Sequence, residues 1–282
     1  MADRHVVVLS SGEPLPVPQI SSSVAKAIRR ATADVGRALR FSRGIIDLDL
    51  TEIDAEIVAG IFERRGFPAR TCPLEDLPVL APPHALFDAD PLEDGLLLQN
   101  VDLRQVSELI PWSRLRFSAA GTVKLAAPAR PASGGVSNDL DGGDADLGVA
   151  MIAALSLLPG VGVHAGSARL SISAGRRPRP RPPREGETVR CLDLVLRDPD
   201  DRYRVISGRF VYDYLGKRMA LTSRENFRTL ILDIARLAPD ALLTSTTQSF
   251  LTNPKAKSHR FGSPAEFDAY VNWARAWTTV WS

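Results

Sequence analysis

Arginine and proline alternate in the stretch Gly175–Glu187, GRRPRPRPPREGE, which we call the Arg/Pro stretch. Its composition predicts an extended, hydrated polyproline-like segment with outward charge. Arginines of this kind contact nucleic-acid phosphates, and the spacing of Arg177, Pro180 and Pro183 suits an SH3-like groove. A stiff, solvated spacer between two strands is the preferred interpretation, with feeble nucleic-acid binding at most. The candidate interaction residues are Arg176, Arg177, Arg179, Pro180, Arg181, Pro183 and Arg184.

Carboxylates are dense between residues 47 and 56, a pattern that permits paired general acid–base chemistry. A strand with one solvent-facing side, followed by the start of a helix, explains the same residues by geometry and by the helix dipole. We therefore expect no catalytic residues here. The carboxylates are Asp47, Asp49, Glu52, Asp54 and Glu56.

Two glycine-rich sequences resemble ligand motifs but lack the required context. GVGVHA, residues 160–165, has G-x-G-x-x-A spacing, yet Pro159 precedes it and a strand-like sequence follows, so we predict a turn. NDLDGGDAD, residues 138–146, lacks the glutamate that closes a calcium loop, so we predict a linker. Cys72 and Cys191 are far apart and the four histidines are scattered. No metal, cofactor or nucleophilic site is expected.

The charge balance gives the chain no strong overall field. Its 282 residues contain 35 basic and 33 acidic side chains, a net charge of +2, so any basic surface must be local. The run HVVVL is too short for a secretory signal, and the apolar stretch at 147–163 is interrupted by Pro159 before it reaches the length of a membrane span. We expect a cytoplasmic protein without a transmembrane segment.

The first 80 residues have the pattern of a βαβ module. HVVVL and IIDLDL predict strands, and the intervening run from Ser21 to Arg40 predicts a single amphipathic helix. A second helix follows Thr51, with an apolar stripe of Ile53, Ile57, Val58 and Ile61. Residues 81–94 are rich in proline and are predicted to be an irregular connector.

Residues 95–282 predict a strand-rich module capped by helices, so the predicted fold class is α+β. Flexible segments are expected at 127–148 and 175–187. Short strands with turns between them are expected in GLLLQNV, SELIPWSRLRFSAAG and TVKLA, followed by a hairpin of VRCLDLVLRD and RYRVIS and a strand in RFVYDYL. Two capped helices are expected at the end of the chain. Their predicted inner residues are Phe227, Leu230, Ile231, Ile234 and Leu237, and then Phe267, Tyr270, Val271, Ala274 and Trp277.

The passage GIIDLDLTEIDAEIVAGIFERRGFPARTCPLEDLP, followed by LIPWSRLRFSAAG, resembles uncharacterised bacterial proteins. In those, a small βαβ module similar to a signal-transducing domain precedes a pleckstrin-homology-like sheet with an "IPW" strand. RYRVISGRFVYDYLGKR and SRENFRTLILDIARLAP look like the later strands and the capping helix of such a domain. The resemblance implies no catalytic residues.

These patterns favour a non-catalytic regulatory or scaffolding protein that acts through contacts with a protein partner. Two alternatives stay open. One is an enzyme or nucleotide-binding protein whose site is assembled from scattered residues. The other is a weak nucleic-acid binder that uses the Arg/Pro stretch.

Overall fold

The computed structural model describes residues 4–12, 14–125, 187–197, 201–253 and 255–281. The candidate residues of the Arg/Pro stretch, the GVGVHA sequence and the aspartate-rich run lie outside these ranges. Within them, no helix combines the length and the apolar character needed to cross a bilayer.

Helices and strands are mixed along the described residues, which confirms the predicted α+β class. The helices are α1 (Val17–Ala27), α2 (Thr32–Phe41), α3 (Glu52–Glu63), α4 (Ser223–Leu237), α5 (Ser245–Thr252) and α6 (Pro264–Val280). The strands are β1 (His5–Leu9), β2 (Ile45–Leu50), β3 (Ala69–Pro73), β4 (His84–Pro91), β5 (Gly95–Val101), β6 (Arg104–Pro111), β7 (Leu115–Lys124), β8 (Thr188–Leu196), β9 (Arg202–Ile206), β10 (Leu242–Leu243) and β11 (Arg260–Phe261).

The N-terminal sheet has the strand order β2-β1-β3. Both β2 and β3 run antiparallel to β1, so β2 and β3 are parallel to each other, are connected through α3 and have β1 between them. Helices α1, α2 and α3 pack on one face of this sheet around a core of buried aliphatic side chains. The apolar alternation of β2 supplies Ile46, Leu48 and Leu50 to that core.

The prediction of one helix from Ser21 to Arg40 is wrong, because the chain turns between α1 and α2. Arg29 adopts a left-handed conformation with φ 53°, and the Arg30 N–H donates to the Ala25 carbonyl oxygen at 3.0 Å, which caps α1. A helix of about 20 residues would span about 30 Å and overrun the short strands beneath it. The turn keeps both helices over the sheet.

The second sheet has the order β10-β7-β8-β9-β4-β5-β6, and β11 also pairs with β7. Two antiparallel meanders, β4-β5-β6 and β7-β8-β9, meet where β4 runs parallel to β9. The prediction that residues 81–94 are irregular is wrong, because β4 lies inside that range. Its buried Leu86 and Ala89 join the core despite the prolines on either side.

The prediction that RFVYDYL forms a strand is also wrong. Within this run only Val211 pairs with the sheet, through a single bridge to Asp88, and a 3-10 helix follows at Asp213–Arg218. The Tyr212 hydroxyl donates to the Ser207 carbonyl oxygen at 3.0 Å, and its ring packs on Phe210. These contacts place Phe210 and Tyr212 in the core beneath α4.

Helices α4 and α6 begin at the capping residues that the sequence predicts. Thr222 Oγ1 accepts from the Glu225 N–H and Ser263 Oγ accepts from the Glu266 N–H, each at 3.2 Å. The predicted inner residues are buried, apart from Leu237 and Trp277, which are half-buried.

Helix α6 connects the two sheets. Val6 and Val8 of β1 share a core with β7, β8 and the inner face of α6. The Trp273 indole donates to the Leu9 carbonyl oxygen at 2.9 Å, and a side chain at Gly44, where φ is 86°, would overlap the indole ring. The two sheets therefore share one layer of packed side chains.

Strands β7 and β8 pair up to Lys124 and Thr188, and the Leu125 N–H donates to the Glu187 carbonyl oxygen at 2.9 Å. Leu125 and Glu187 therefore lie at adjacent positions on the paired strands.

Candidate functional site

Strand β2 contains a large bulge at the edge of the N-terminal sheet. His5 pairs with Leu50 and Val7 with Ile46, so five residues of β2 lie opposite three of β1. Asp49 takes a left-handed φ of 51° within the strand, and its N–H donates to Asp47 Oδ1 at 3.2 Å. Bulges at sheet edges redirect side chains and frequently lie beside functional sites.

Two arginines hold the bulge from opposite sides. Arg4 Nε lies 2.7 Å from Asp49 Oδ1, and Arg4 Nη2 donates to Asp47 Oδ1 at 3.2 Å. Arg30 Nη2 donates to the Asp49 carbonyl oxygen at 2.9 Å. The turn between α1 and α2 therefore places Arg30 against the bulge. The arginines and aspartates are half-exposed, so their charges remain accessible.

These residues enclose an open groove of about 340 Å³, which we call the bulge groove. It is lined by Arg4, Arg30, Asp34, Val35, Ala38, Asp47, Leu48 and Asp49. Its floor is aliphatic and its rim is charged. The two arginines and three aspartates of the lining sum to one negative charge, and Arg37, which does not line the groove, has its Nη1 4.0 Å from Asp34 Oδ1. A lysine or arginine side chain matches both the aliphatic floor and the charged rim. Its methylene groups can be buried on the floor while its cationic group stays in polar surroundings at the rim.

Helix α3, which begins three residues after Asp49, has an exposed face of acidic and apolar side chains. Ile53 is 69% exposed and Ile57 is 42% exposed, whereas Val58 and Ile61 are buried. The prediction that all four form an inner stripe is therefore wrong for the first two. The actual inner stripe includes Ala55, Val58, Ala59 and Phe62. Glu52 and Glu56 flank the exposed isoleucines and are themselves exposed.

Of the five carboxylates that the sequence singled out, the structure brings Asp47 and Asp49 into the bulge groove and leaves the other three on α3. Sequence reasoning missed Arg4 and Arg30. The sequence signal for Arg30 is its place in the basic pair Arg29–Arg30, within the run from Ser21 to Arg40. The described residues contain no group of three histidine, cysteine, aspartate or glutamate side chains arranged to hold a metal.

A second charged cluster lies inside the protein, between α6 and strands β8 and β9. Asp193 is fully buried, and Arg204 Nε donates to its Oδ1 at 2.7 Å while Arg202 Nε donates to its Oδ2 at 2.6 Å. Both arginines also reach Asp268 of α6. Burial raises the pKa of Asp193, but the two guanidinium groups outweigh it and lower that pKa overall. Its hydrogen bonds are satisfied internally, so the cluster fixes α6 to the sheet.

No protein-family model, no curated protein and no solved structure matches this chain. The resemblance to proteins with a signal-transducer-like module and a pleckstrin-homology-like sheet therefore stays a prediction.

Proposed function

We propose that the protein is a non-catalytic regulatory or scaffolding protein, and that its bulge groove binds a basic side chain of a protein partner. The observation that carries this proposal is the combination of an aliphatic floor with an excess of carboxylate at the rim. A lysine or arginine side chain satisfies both requirements, whereas an anionic ligand would meet three aspartates.

The exposed face of α3 has similar chemistry. Ile53 and Ile57 lie one helical turn apart and are surrounded by acidic residues. A partner segment with a basic residue and adjacent apolar residues would bury the isoleucines and neutralise the carboxylates. Because Arg4 and Arg30 already fix the bulge, the groove is formed before the partner arrives, which reduces the ordering penalty of binding.

The test is a titration, followed by methyl NMR, with two blocked tetrapeptides that differ in one residue, arginine or glutamate. The arginine peptide should shift the methyl signals of Val35, Ala38 and Leu48 and bind more tightly. Asp34→Asn combined with Asp47→Asn removes two charges but keeps the shape, and should weaken binding about tenfold or more. Glu93→Gln with Asp94→Asn, at two exposed carboxylates in the turn between β4 and β5, is the charge-matched control and should leave binding unchanged. Tighter binding of the glutamate peptide, or no effect of the double variant, overturns the proposal.

A further inference from the structure

Arg190 and Arg224 lie close together at the start of β8, far along the chain from the bulge groove, and the turn that contains Arg209 lies beside Arg190. Arg190 lies on β8, Arg209 lies in the turn after β9, and Arg224 lies in the first turn of α4. The Ser207 N–H donates to the Arg190 carbonyl oxygen at 2.9 Å, which brings the turn against β8. The Glu187 carboxylate is near enough to act on Arg209, whereas Arg190 and Arg224 form no ion pair with the residues that the structure describes.

The surroundings of Arg190 and Arg209 disfavour the charged form of their side chains. Burial, and then the neighbouring Arg224 guanidinium, lower the pKa of Arg190. Burial also lowers the pKa of Arg209. Partly desolvated like charges repel each other more strongly than they would in water. An external anion would relieve the repulsion between Arg190 and Arg224, whereas Arg209 already has the Glu187 carboxylate near it.

Exposed apolar side chains border the same cluster. The loop that enters α4 has the sequence KRMALTSR at residues 217–224. Leu221 is 104% exposed and Met219 is 46% exposed, and Lys217 and Arg224 flank them. We call Lys217, Met219, Leu221, Arg224 and Arg190 the basic–leucine face.

Hydrogen bonds fix the conformation of this loop, so that Leu221 does not turn inward. The buried Asn226 accepts from the Ala220 N–H at 2.7 Å and donates to the Ala220 carbonyl oxygen at 3.2 Å. Arg218 Nη1 donates to Asp233 Oδ1 at 2.9 Å. With Ala220 fixed at both backbone groups, the side chains on either side of it point to solvent. Outward projection of Leu221 is therefore built into the fold.

We propose that the basic–leucine face binds the surface of an anionic phospholipid membrane. Arginine and lysine attract the anionic headgroups, and each such charge strengthens binding about fivefold near the surface. Leu221 and Met219 then insert at the boundary between headgroups and acyl chains, where their burial is favourable. Nucleic acid offers no comparable environment for exposed aliphatic side chains, and the face carries no aromatic residue for base stacking. This inference is independent of the bulge groove.

The test is sedimentation of the full chain with two kinds of vesicle, one of phosphatidylcholine alone and one in which about a third of the lipid is phosphatidylserine. The protein should bind the second kind, and rising salt should weaken the binding. Lys217→Glu with Arg224→Glu should lower binding at least about twentyfold. Glutamate in the first turn of α4 favours the helix, so this variant should fold. Lys255→Glu with Lys257→Glu, at two exposed lysines elsewhere, is the charge-matched control.

The apolar contribution needs its own variant, because the charges alone would attract any polyanion. Leu221→Ser with Met219→Ser keeps every charge and should lower vesicle binding at least about tenfold. Val79→Ser, at another exposed aliphatic residue, should have no effect. Equal binding to both vesicles overturns the proposal, as does full binding by the serine double variant. Binding to a duplex oligonucleotide but not to vesicles would place the face in the nucleic-acid class instead.

Discussion

Arg30 Nη2 donates to the carbonyl oxygen of Asp49 across 19 residues of sequence, and this bond connects two backbone irregularities. Arg30 follows the left-handed Arg29 that ends α1, and Asp49 is the left-handed residue of the β2 bulge. Each irregularity supports the other, because the helix turn positions the donor and the bulge positions the acceptor. The bulge groove exists because both depart from regular structure.

Arg29→Gly should stabilise the protein. A left-handed conformation costs a residue with a Cβ about 1–2 kcal/mol, and glycine avoids this cost. We expect the free energy of unfolding, measured with urea, to rise by about 1 kcal/mol. Arg29→Ala keeps the Cβ and is the control that should show no gain. A loss of stability in the glycine variant would mean that the Arg29 side chain makes contacts that outweigh its backbone strain.

Neighbouring residues of α4 should respond differently to truncation. Ile231 is 1% exposed and Leu232 is 40% exposed. Ile231→Ala should lower the free energy of unfolding by about 2–5 kcal/mol, because it removes buried apolar surface and leaves a cavity. Leu232→Ala should change it by less than about 0.5 kcal/mol. Similar losses for the two variants would show that the helix is rotated relative to the face described above.

Asp193→Asn should strongly destabilise the protein. Removing the buried carboxylate charge leaves Arg202 and Arg204 with only Asp268, and breaking a buried ion pair costs about 3–5 kcal/mol. Chemical denaturation measures the loss. Asp268→Asn, at the more exposed end of the cluster, should have a clearly smaller effect. An unchanged unfolding midpoint for Asp193→Asn would remove the cluster as the link between α6 and the sheet.

The same carboxylate should make stability depend on acid pH. The pKa of Asp193 is lower in the folded protein than the value of about 3.9 in an unfolded chain. Its contribution is therefore fully present above about pH 4 and is lost as pH falls through the folded-state pKa. Urea unfolding over that acid range should show a steeper loss for the native chain than for Asp193→Asn. Parallel curves would assign the acid sensitivity to other carboxylates.

Capping residues and apolar spacing in the sequence correctly predicted those helices whose start and buried face depend on residues close together in the chain. The Thr222–Glu225 capping box and the apolar stripe after it define α4 without reference to the rest of the chain. The bulge in β2 was not predictable, since IIDLDL alternates as a regular strand does and only its pairing with β1 shows the extra residues. The contact between Arg4 and Asp49 was not predictable either, because their separation in sequence matches the period of neither a helix nor a strand.

The buried charges show a different limit of prediction from sequence. CLDLVL and RYRVI alternate polar and apolar residues, which is typical of a sheet with one solvated face. In the structure α6 covers that face, so Asp193, Arg202 and Arg204 pair with each other instead of facing water. Alternation shows which side chains share a face. It does not show whether another element covers that face.

The pairing of Lys124 with Thr188 makes the end of the β7–β8 hairpin a grafting point. Its two chain ends are held one strand spacing apart, about 4.8 Å, by the sheet itself. A two-residue Asn-Gly turn can join them in place of residues 126–186 and keep the strand register. A reporter or peptide whose own ends lie close together can be joined there in the same way. The eight-stranded sheet is thus a natural display scaffold.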